Sequence, residues 1–468
     1  MRPSSRFLRD HRASIPIVTA LLLPVLVLIS GGAVDLVVHE RGRIALQDAL
    51  DRGVLAAASL NQTADPTAVV RSFLKSVPNG DTATLTVAEQ KTLNKRVITA
   101  SASIAYETTF LKLADIDDLT INASSTAEES RSNVELSLVL DISGSMLDNG
   151  GMTQLRPAAK SFLDVVLKED SRPTTSVNII PFAGQVNVGK DVFEYITSAA
   201  YNNRLLPYGR KQHNSSWCVE MTSGDFSSGT PSFYDRDQAP HFSYYNISAS
   251  GKQPWWCPTL PTISYMTNDL ATLKARMDAL QPYDGTGTAY GMKWAELLLN
   301  PSMRSTLQSI RTKGYAPIPA SFSARPADFN DKDTLKFIVL MTDGQIGFQP
   351  RPTDANVNPD SRWSVTTRNI SGNDANKKAY ATTTNDYVGR FNAFTEAEAK
   401  GFYKKVCDYT KQEGITIFTI AFKVSAEIAA NIAACASKPA YAYKVDGLDM
   451  SAAFQSIAAQ MQQLRITK

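Results

Sequence analysis

Residues 138–146 read LVLDISGSM: an apolar run stops at Asp141, and two serines follow at alternate positions, Ser143 and Ser145. Side chains two residues apart point the same way while the chain stays extended, and Gly144 permits a tight path between them. The three polar side chains can therefore face one point. A carboxylate with two hydroxyls is an all-oxygen donor set suited to Mg²⁺ or Mn²⁺. The same letters also fit an ordinary Asp/Ser turn at a strand end, so the rest of the chain has to decide.

Outward from this stretch, strands and helices take turns. VELSLVL (134–140), SVNIIPF (176–182), LKFIVLM (335–341) and ITIFTIAF (415–422) read as strands. LRPAAKSFLDVVLK (155–168) reads as a helix with Phe162, Val165 and Val166 on its apolar face. NDLATLKARMDAL (268–280), GMKWAELLLN (291–300), AFTEAEAKGFYKKVCDYTKQEG (393–414) and DMSAAFQSIAAQMQQLRI (449–466) read as further helices. Such alternation implies an α/β domain with a mostly parallel sheet, whose ligands lie beyond the carboxyl ends of the strands. Asp343 ends a second strand in FIVLMTDGQ (337–345), and YDGTGTAYG (283–291) brings Thr286 and Thr288 to a loop entering a helix. Convergence of three separated segments favours the cation site over the simple turn. Two stretches interrupt the rhythm, 183–266 rich in aromatic, Ser, Gly and Pro residues, and 344–392 rich in Asn, Asp and Thr. Loops that long in a compact domain usually carry function.

Upstream, ASIPIVTALLLPVLVLISGGAV (13–34) has no charge and is long enough to span a bilayer. Arg2, Arg6, Arg9 and Arg12 precede it against a single Asp10, which puts the tail in the cytoplasm and the remainder outside. A cleaved signal peptide, cut near Gly31 and Ala33, is the competing reading. ERGRIALQDALDRGVLAAASL (40–60) continues the helix with Leu46, Leu50, Val54 and Ala57 on one stripe. TATLTV (82–87) and RVITASASIAYETTF (96–110) alternate as strands of a small β-rich stalk. The expected division is 1–60 for tail, transmembrane helix and extension, 61–130 for the stalk, and 131–468 for the α/β domain.

Over 468 residues, 43% hydrophobic and 20% charged composition describes a globular chain. A net charge of +3, with no basic stripe interleaved with aromatics, speaks against a nucleic-acid partner. Cys218, Cys257, Cys407 and Cys435 form no CxxC pair, so zinc is not expected, and in an exported chain they fit two disulfides. GQVNVGKD (184–191) is one residue short of a phosphate loop and has Asp191 where a hydroxyl belongs, so it reads as a turn. Ser143 as a nucleophile would need a histidine and a strained elbow. The exported histidines His39, His213 and His241 stand in no such context, so no enzyme is expected. Trp217, Trp255 and Trp256 beside the first two cysteines read as a small satellite core.

DISGSM, DGTGT and LMTDG, in this order in an alternating α/β chain, resemble the metal-ion-dependent adhesion site of a von Willebrand factor A domain. The resemblance implies that Asp141, Ser143, Ser145, Thr286 and Asp343 hold Mg²⁺ or Mn²⁺ and that an acidic residue of a protein partner completes the coordination. Thr286 is preferred to Thr288 because Gly291 and Trp294 then fall where related sequences have them. The Arg-rich tail, single span, Asp35 and ALQDALDRGVLAAASL (45–60) are similar to the TadE/TadG-like N-terminal segment of the bacterial tight-adherence (Flp) pilus system. PFAGQVNVG (181–189), WWCPTLPTISYMTND (255–269) and the C-terminal segment from ACASKP (434–439) also resemble TadG-type proteins. This implies a single-pass inner-membrane protein, mostly periplasmic or external, with pilus or secretion components as partners. The segment before the span lacks the glycine and downstream glutamate that a prepilin peptidase needs, so no such processing is expected. Four cysteines allow three pairings. Cys218 with Cys257 and Cys407 with Cys435 is expected, because each pair flanks one structural unit and matches the family-like segments.

Overall fold

The computed structural model describes residues 14–148, 150–197, 215–227, 229, 233, 236–242, 253, 255–352, 390–446 and 450–466. The Arg-rich tail, His213 and most of the polar stretch 344–392 lie outside the described residues. The chain divides into two units, Met1–Arg131 and Ser132–Lys468.

In the first unit, α1 (Ser14–Ala57) is one uninterrupted 44-residue helix. Its N-terminal half exposes Leu21, Leu22, Leu26 and Ile29, and it is the one helix among the described residues long and apolar enough to cross a membrane. Pro24 inside it removes a backbone donor, which apolar spans tolerate. The C-terminal half buries the expected stripe Leu46, Leu50, Val54 and Ala57. Helix α2 (Pro66–Leu74) begins with Asp65 accepting from the Ala68 N–H at 2.8 Å and with proline in its first turn, both helix-starting devices. Strands β1 (Thr84–Lys91), β2 (Lys95–Glu107) and β3 (Asp118–Ser130) form an antiparallel meander. Along β2 every second residue from Arg96 to Ile104 is buried, as period-2 patterning demands. Ile98, Ala100 and Ile121 of the sheet share one core with Leu46, Leu50, Val70 and Leu74. The segments expected as 1–60 and 61–130 are thus joined through common packing.

The second unit begins with β4 (Asn133–Asp141), the one-turn α3 (Ser145–Asp148), α4 (Gly151–Val166), β5 (Thr175–Phe182) and α5 (Lys190–Thr197). It continues with β6 (Ser264–Thr267), α6 (Leu270–Asp278), α7 (Thr288–Leu297), α8 (Arg304–Thr312) and β7 (Thr334–Thr342). The small ribbon β8 (Gln349–Pro352) and β9 (Arg390–Phe394) flanks the undescribed 353–389. The unit closes with α9 (Glu396–Gln412), β10 (Thr416–Phe422), α10 (Ala426–Ala433), β11 (Ala442–Val445) and α11 (Met450–Ile466). Its main sheet has the order β11-β10-β7-β4-β5-β6, parallel throughout except for the edge strand β6. Counted along the chain within that sheet, the order is 3-2-1-4-5-6, the doubly wound order whose direction reverses between strands 1 and 4. Here those two strands are β4 and β7.

β4, β5 and β7 are buried along nearly their whole length because helices cover both faces. Leu136, Leu138 and Leu140 pack with Phe162 of α4, Leu273 of α6 and Phe454 of α11. On the opposite face Ser137 donates to the Ala295 carbonyl of α7 at 3.1 Å, and α7 comes so close that a Cβ on Gly291 would sit 2.9 Å from Val139 and Phe182. The expected fold class, an α/β unit with a parallel-rich sheet behind an N-terminal apolar helix, is the fold observed.

Both disulfides have the expected pairing, Cys218–Cys257 and Cys407–Cys435. Trp217 packs on Phe193, and the buried Trp256 stacks on Phe242. Trp255 is half-buried against the His241 ring.

Candidate metal centre

The switch between β4 and β7 leaves a crevice at their carboxyl ends, and the residues bordering it are polar. Asp141, the last residue of β4, is fully buried. Its Oδ1 accepts the Ser143 N–H at 2.7 Å, and its Oδ2 accepts the hydroxyl of Thr342, the last residue of β7. The turn that follows brings Ser143 Oγ to 2.9 Å from Ser145 Oγ, and Ser145 Oγ donates to Asp343 Oδ1 at 2.7 Å. The loop bearing Thr286 is pinned beside them: the Tyr283 N–H donates to the Ile142 carbonyl at 2.7 Å and the Gly287 N–H to the Ala183 carbonyl at 2.6 Å. Gly344 has room only because it lacks a side chain, since a Cβ there would lie 3.1 Å from Thr286 Oγ1.

A cavity of about 420 Å³ opens over this cluster, lined by Ser143, Ser145, Asp284, Thr286, Asp343 and Glu396 among others. Four of the five expected ligands border it. Asp141, the fifth, lies behind the serines and reaches the cavity wall through its bond with Ser143. Thr288 does not line the cavity; it starts α7 with its hydroxyl buried and unpaired. Burial first, and then the facing Asp343 carboxylate, push the Asp141 carboxyl up to about 7, against the pull of its bonds from Thr342 and Ser143.

The donor set is oxygen only, two carboxylates in mutual repulsion and three hydroxyls, which fits a hard divalent cation. Among the described residues no group of three or more His, Cys, Asp or Glu could hold a metal, so a cation here leans on hydroxyls as well as carboxylates. The Ser143 hydroxyl bonds Ser145 and not a histidine. His241 Nδ1 meets Ser216 Oγ at 2.8 Å, a pair buried among the aromatic residues.

Three lining or supporting residues had no part in the sequence reading. Thr342 stands beside Asp343 in LMTDG, and its strand-end hydroxyl was the available signal. Asp284 stands in DGTGT, two residues before Thr286. Glu396 arrives from the first turn of α9, far along the chain, where it bonds Lys400 and Gln345; no local pattern marks it.

Residues 13–60 match the family described as "Putative Flp pilus-assembly TadE/G-like". No curated protein matches the chain. Similar solved structures include the pilus adhesin SpaC of Lactobacillus rhamnosus GG in its open conformation, 11% identical, with 82% of this chain and 34% of that one covered and a TM-score of 0.35. This chain therefore spans about a third of that adhesin's length. The von Willebrand factor domain of the type V pili tip protein Mfa5 of Porphyromonas gingivalis is 12% identical, with 72% and 97% covered and a TM-score of 0.36. Proximal thread matrix protein 1 of the mussel byssus, solved with a zinc-occupied adhesion-site motif, is 10% identical, with 70% and 46% covered and a TM-score of 0.28. Likenesses at this level carry no weight for what this chain binds. The similarity to Flp pilus-assembly TadE/G-like proteins is thus confined to residues 13–60, and the α/β unit lies beyond the matched segment.

Proposed function

We propose that this chain is a non-enzymatic, membrane-anchored envelope protein of bacterial Flp pilus assembly or attachment. Its α/β unit acts as a von Willebrand factor A-type domain that binds a protein partner through a cation. Asp141, Ser143, Ser145, Thr286 and Asp343 would hold Mg²⁺ or Mn²⁺, and the metal would supply a Lewis-acidic point for a carboxylate of the partner. The observation that carries this reading is the meeting of three segments, 141–145, 283–287 and 342–344, at the sheet's switch point. The TadE/G-like match favours a pilus role over a surface adhesin unconnected with pili. We place the protein in the inner membrane with the tail cytoplasmic, the apolar half of α1 in the bilayer and the rest of the chain outside.

The test is thermal unfolding of the full chain in mild detergent. A ligand that binds only the folded state at a hundred times its Kd adds about 2.7 kcal/mol, so Mg²⁺ is expected to raise the melting temperature and EDTA to reverse the rise. Asp343→Ala is expected to abolish the shift. A wild-type melting temperature indifferent to both Mg²⁺ and EDTA would overturn the proposal.

A further inference from the structure

The connection between β2 and β3, residues 108–117, leans on α1. Phe110 and Leu111 dock on Gly31 and Gly32, where a Cβ would lie 2.3 Å from the Phe110 ring and 3.0 Å from Leu111 Cδ2. From Val18 to Val38, α1 exposes a run of large apolar side chains, with Val34, Leu36, Val37 and Val38 continuing it beyond the docking point. At 1.5 Å per residue this run is roughly 30 Å long, about the thickness of a hydrocarbon core. A bilayer that covers the run therefore brings its outer edge to the docked turn.

Three features fit the turn to that edge. Leu113 is 71% exposed and Ile116 41%, and among the described residues of the first unit no other large apolar side chain outside α1 is exposed. A lone exposed leucine is ordinary on a soluble surface, but these two belong to the turn that touches the apolar run. Phe110 and Leu113 are three residues apart on a short 3₁₀ turn, Leu111–Ala114, where such side chains eclipse. Leu113 thus falls on the same side as the ring that rests on α1. Next, Asp35 is the one charged residue in the run. Its carboxylate is 1% exposed and accepts the N–H groups of Thr109, Phe110 and Leu111, the kind of pairing an ionisable side chain needs at membrane depth. Last, the turn satisfies much of its own backbone. The Leu113 N–H donates to the Phe110 carbonyl at 3.1 Å, the Ile116 N–H to Leu111 at 3.2 Å and the Thr108 N–H to Asp117 at 3.0 Å. Lys112, Asp115 and Asp117 are exposed on it and suit the polar headgroup layer, where irregular backbone is tolerated.

We propose that this turn is a second membrane contact, setting Leu113 and Ile116 into the outer leaflet at the boundary between headgroups and acyl chains. The occupant of this surface is phospholipid, because the exposed pair continues the apolar face of the helix on which the turn is docked. The inference rests on the membrane-anchor reading and deepens it: the anchor enters the bilayer from one end of the first unit, and the turn seats that unit on the bilayer surface. It is independent of the metal-centre reading.

The four native cysteines are all in disulfides, so a thiol-directed nitroxide labels only an introduced cysteine. The test places full chains carrying Val25→Cys, Ser101→Cys, Leu113→Cys or Ile116→Cys in phosphatidylcholine nanodiscs. Electron paramagnetic resonance then reads how often each label meets lipid-soluble oxygen and a water-soluble nickel chelate. Val25, on the apolar half of α1, marks lipid, and the exposed Ser101, in the middle of β2, marks water. Labels at Leu113 and Ile116 are expected to lose most of the nickel broadening seen at Ser101 and to approach the oxygen preference of Val25. If Val25 reads as lipid while both turn labels match Ser101, this inference falls and the anchor stands. Turn labels shielded from both reagents would mean a protein cover in place of lipid and would also overturn it. A Val25 label open to nickel would overturn the anchor reading together with this one.

Discussion

Asp141 sits where water cannot reach it and faces a second carboxylate, so its proton is held more tightly in the folded chain than in the unfolded one. With the folded value near 7 and the ordinary value 3.8, the folded state binds the extra proton across that window. Stability from this group is complete below about pH 4, declines as pH rises through 7, and is then level. Melting in EDTA is therefore expected to give a higher melting temperature at pH 5 than at pH 8 from this group. Mg²⁺ must displace the proton, so its stabilising shift is expected to be larger at pH 8 than at pH 5. Asp141→Asn, which keeps the shape and loses the titration, is expected to flatten the EDTA profile. A wild-type profile already flat over this range would refute the assignment. At this scale the sequence was most legible where the candidate ligands are neighbours: Asp141, Ser143 and Ser145 lie within five residues. Asp343 stood out as the end of a second strand, and only the choice of Thr286 over Thr288 needed the family spacing. Thr342 escaped notice because its hydroxyl serves Asp141 across two strands, a pairing that only the sheet order creates.

Elements are held at the opposite end of the sheet by a different device. Arg325 is buried there and donates to the Val134 carbonyl at 2.9 Å, Ser176 Oγ at 2.6 Å and the Thr174 carbonyl at 2.7 Å, clamping the starts of β4 and β5. Lys336 of β7 pairs with Glu135 of β4 at 3.1 Å beside it. Truncating one member of such a buried charged network strands its partners, at a cost of about 3–5 kcal/mol. Arg325→Ala is expected to lower stability by about that amount in denaturant melts while leaving the Mg²⁺-induced shift in place, because the clamp and the crevice lie at opposite ends of the strands. Loss of the Mg²⁺ shift in a folded Arg325→Ala protein would show that the two ends are coupled. The long strands were legible because burial on both faces makes them continuous apolar runs. Helices α2, α5, α8 and α10 were not: each is eight or nine residues long, which leaves little room for a 3.6-residue period, though the equally short α6 was read. β6 was missed for another reason: it has four residues, one of them Met266 at a φ of +39°.

For the whole molecule, the open question of the sequence was whether residues 13–34 stay attached. Helix α1 passes 31–34 without a break, and Gly31 and Gly32 are where Phe110 and Leu111 dock, since a Cβ on Gly31 would overlap the Phe110 ring. Just beyond, the buried Asp35 carboxylate accepts the N–H groups of Thr109 at 3.1 Å, Phe110 at 2.7 Å and Leu111 at 2.8 Å. Cleavage near Ala33 would strip the Gly31 and Gly32 contacts from Phe110 and Leu111 while leaving Asp35 with its amides, and the lost docking is the argument for a retained anchor. An alkaline phosphatase fused to the C-terminus is expected to be active outside the inner membrane, and the intact chain is expected to remain in the pellet after an alkaline carbonate wash. Release of a product beginning near Val34 would reverse the reading. The continuity of α1 also has a mechanical meaning. At 1.5 Å per residue the helix is roughly 65 Å long, with a bilayer-length stretch at one end and the core of the first unit at the other. No loop separates them. In a membrane-anchored chain, tilt or traction on the β-sheet and α2 would therefore reach the apolar stretch through unbroken helix, and the amides gripping Asp35 would resist rotation of that helix about its own axis.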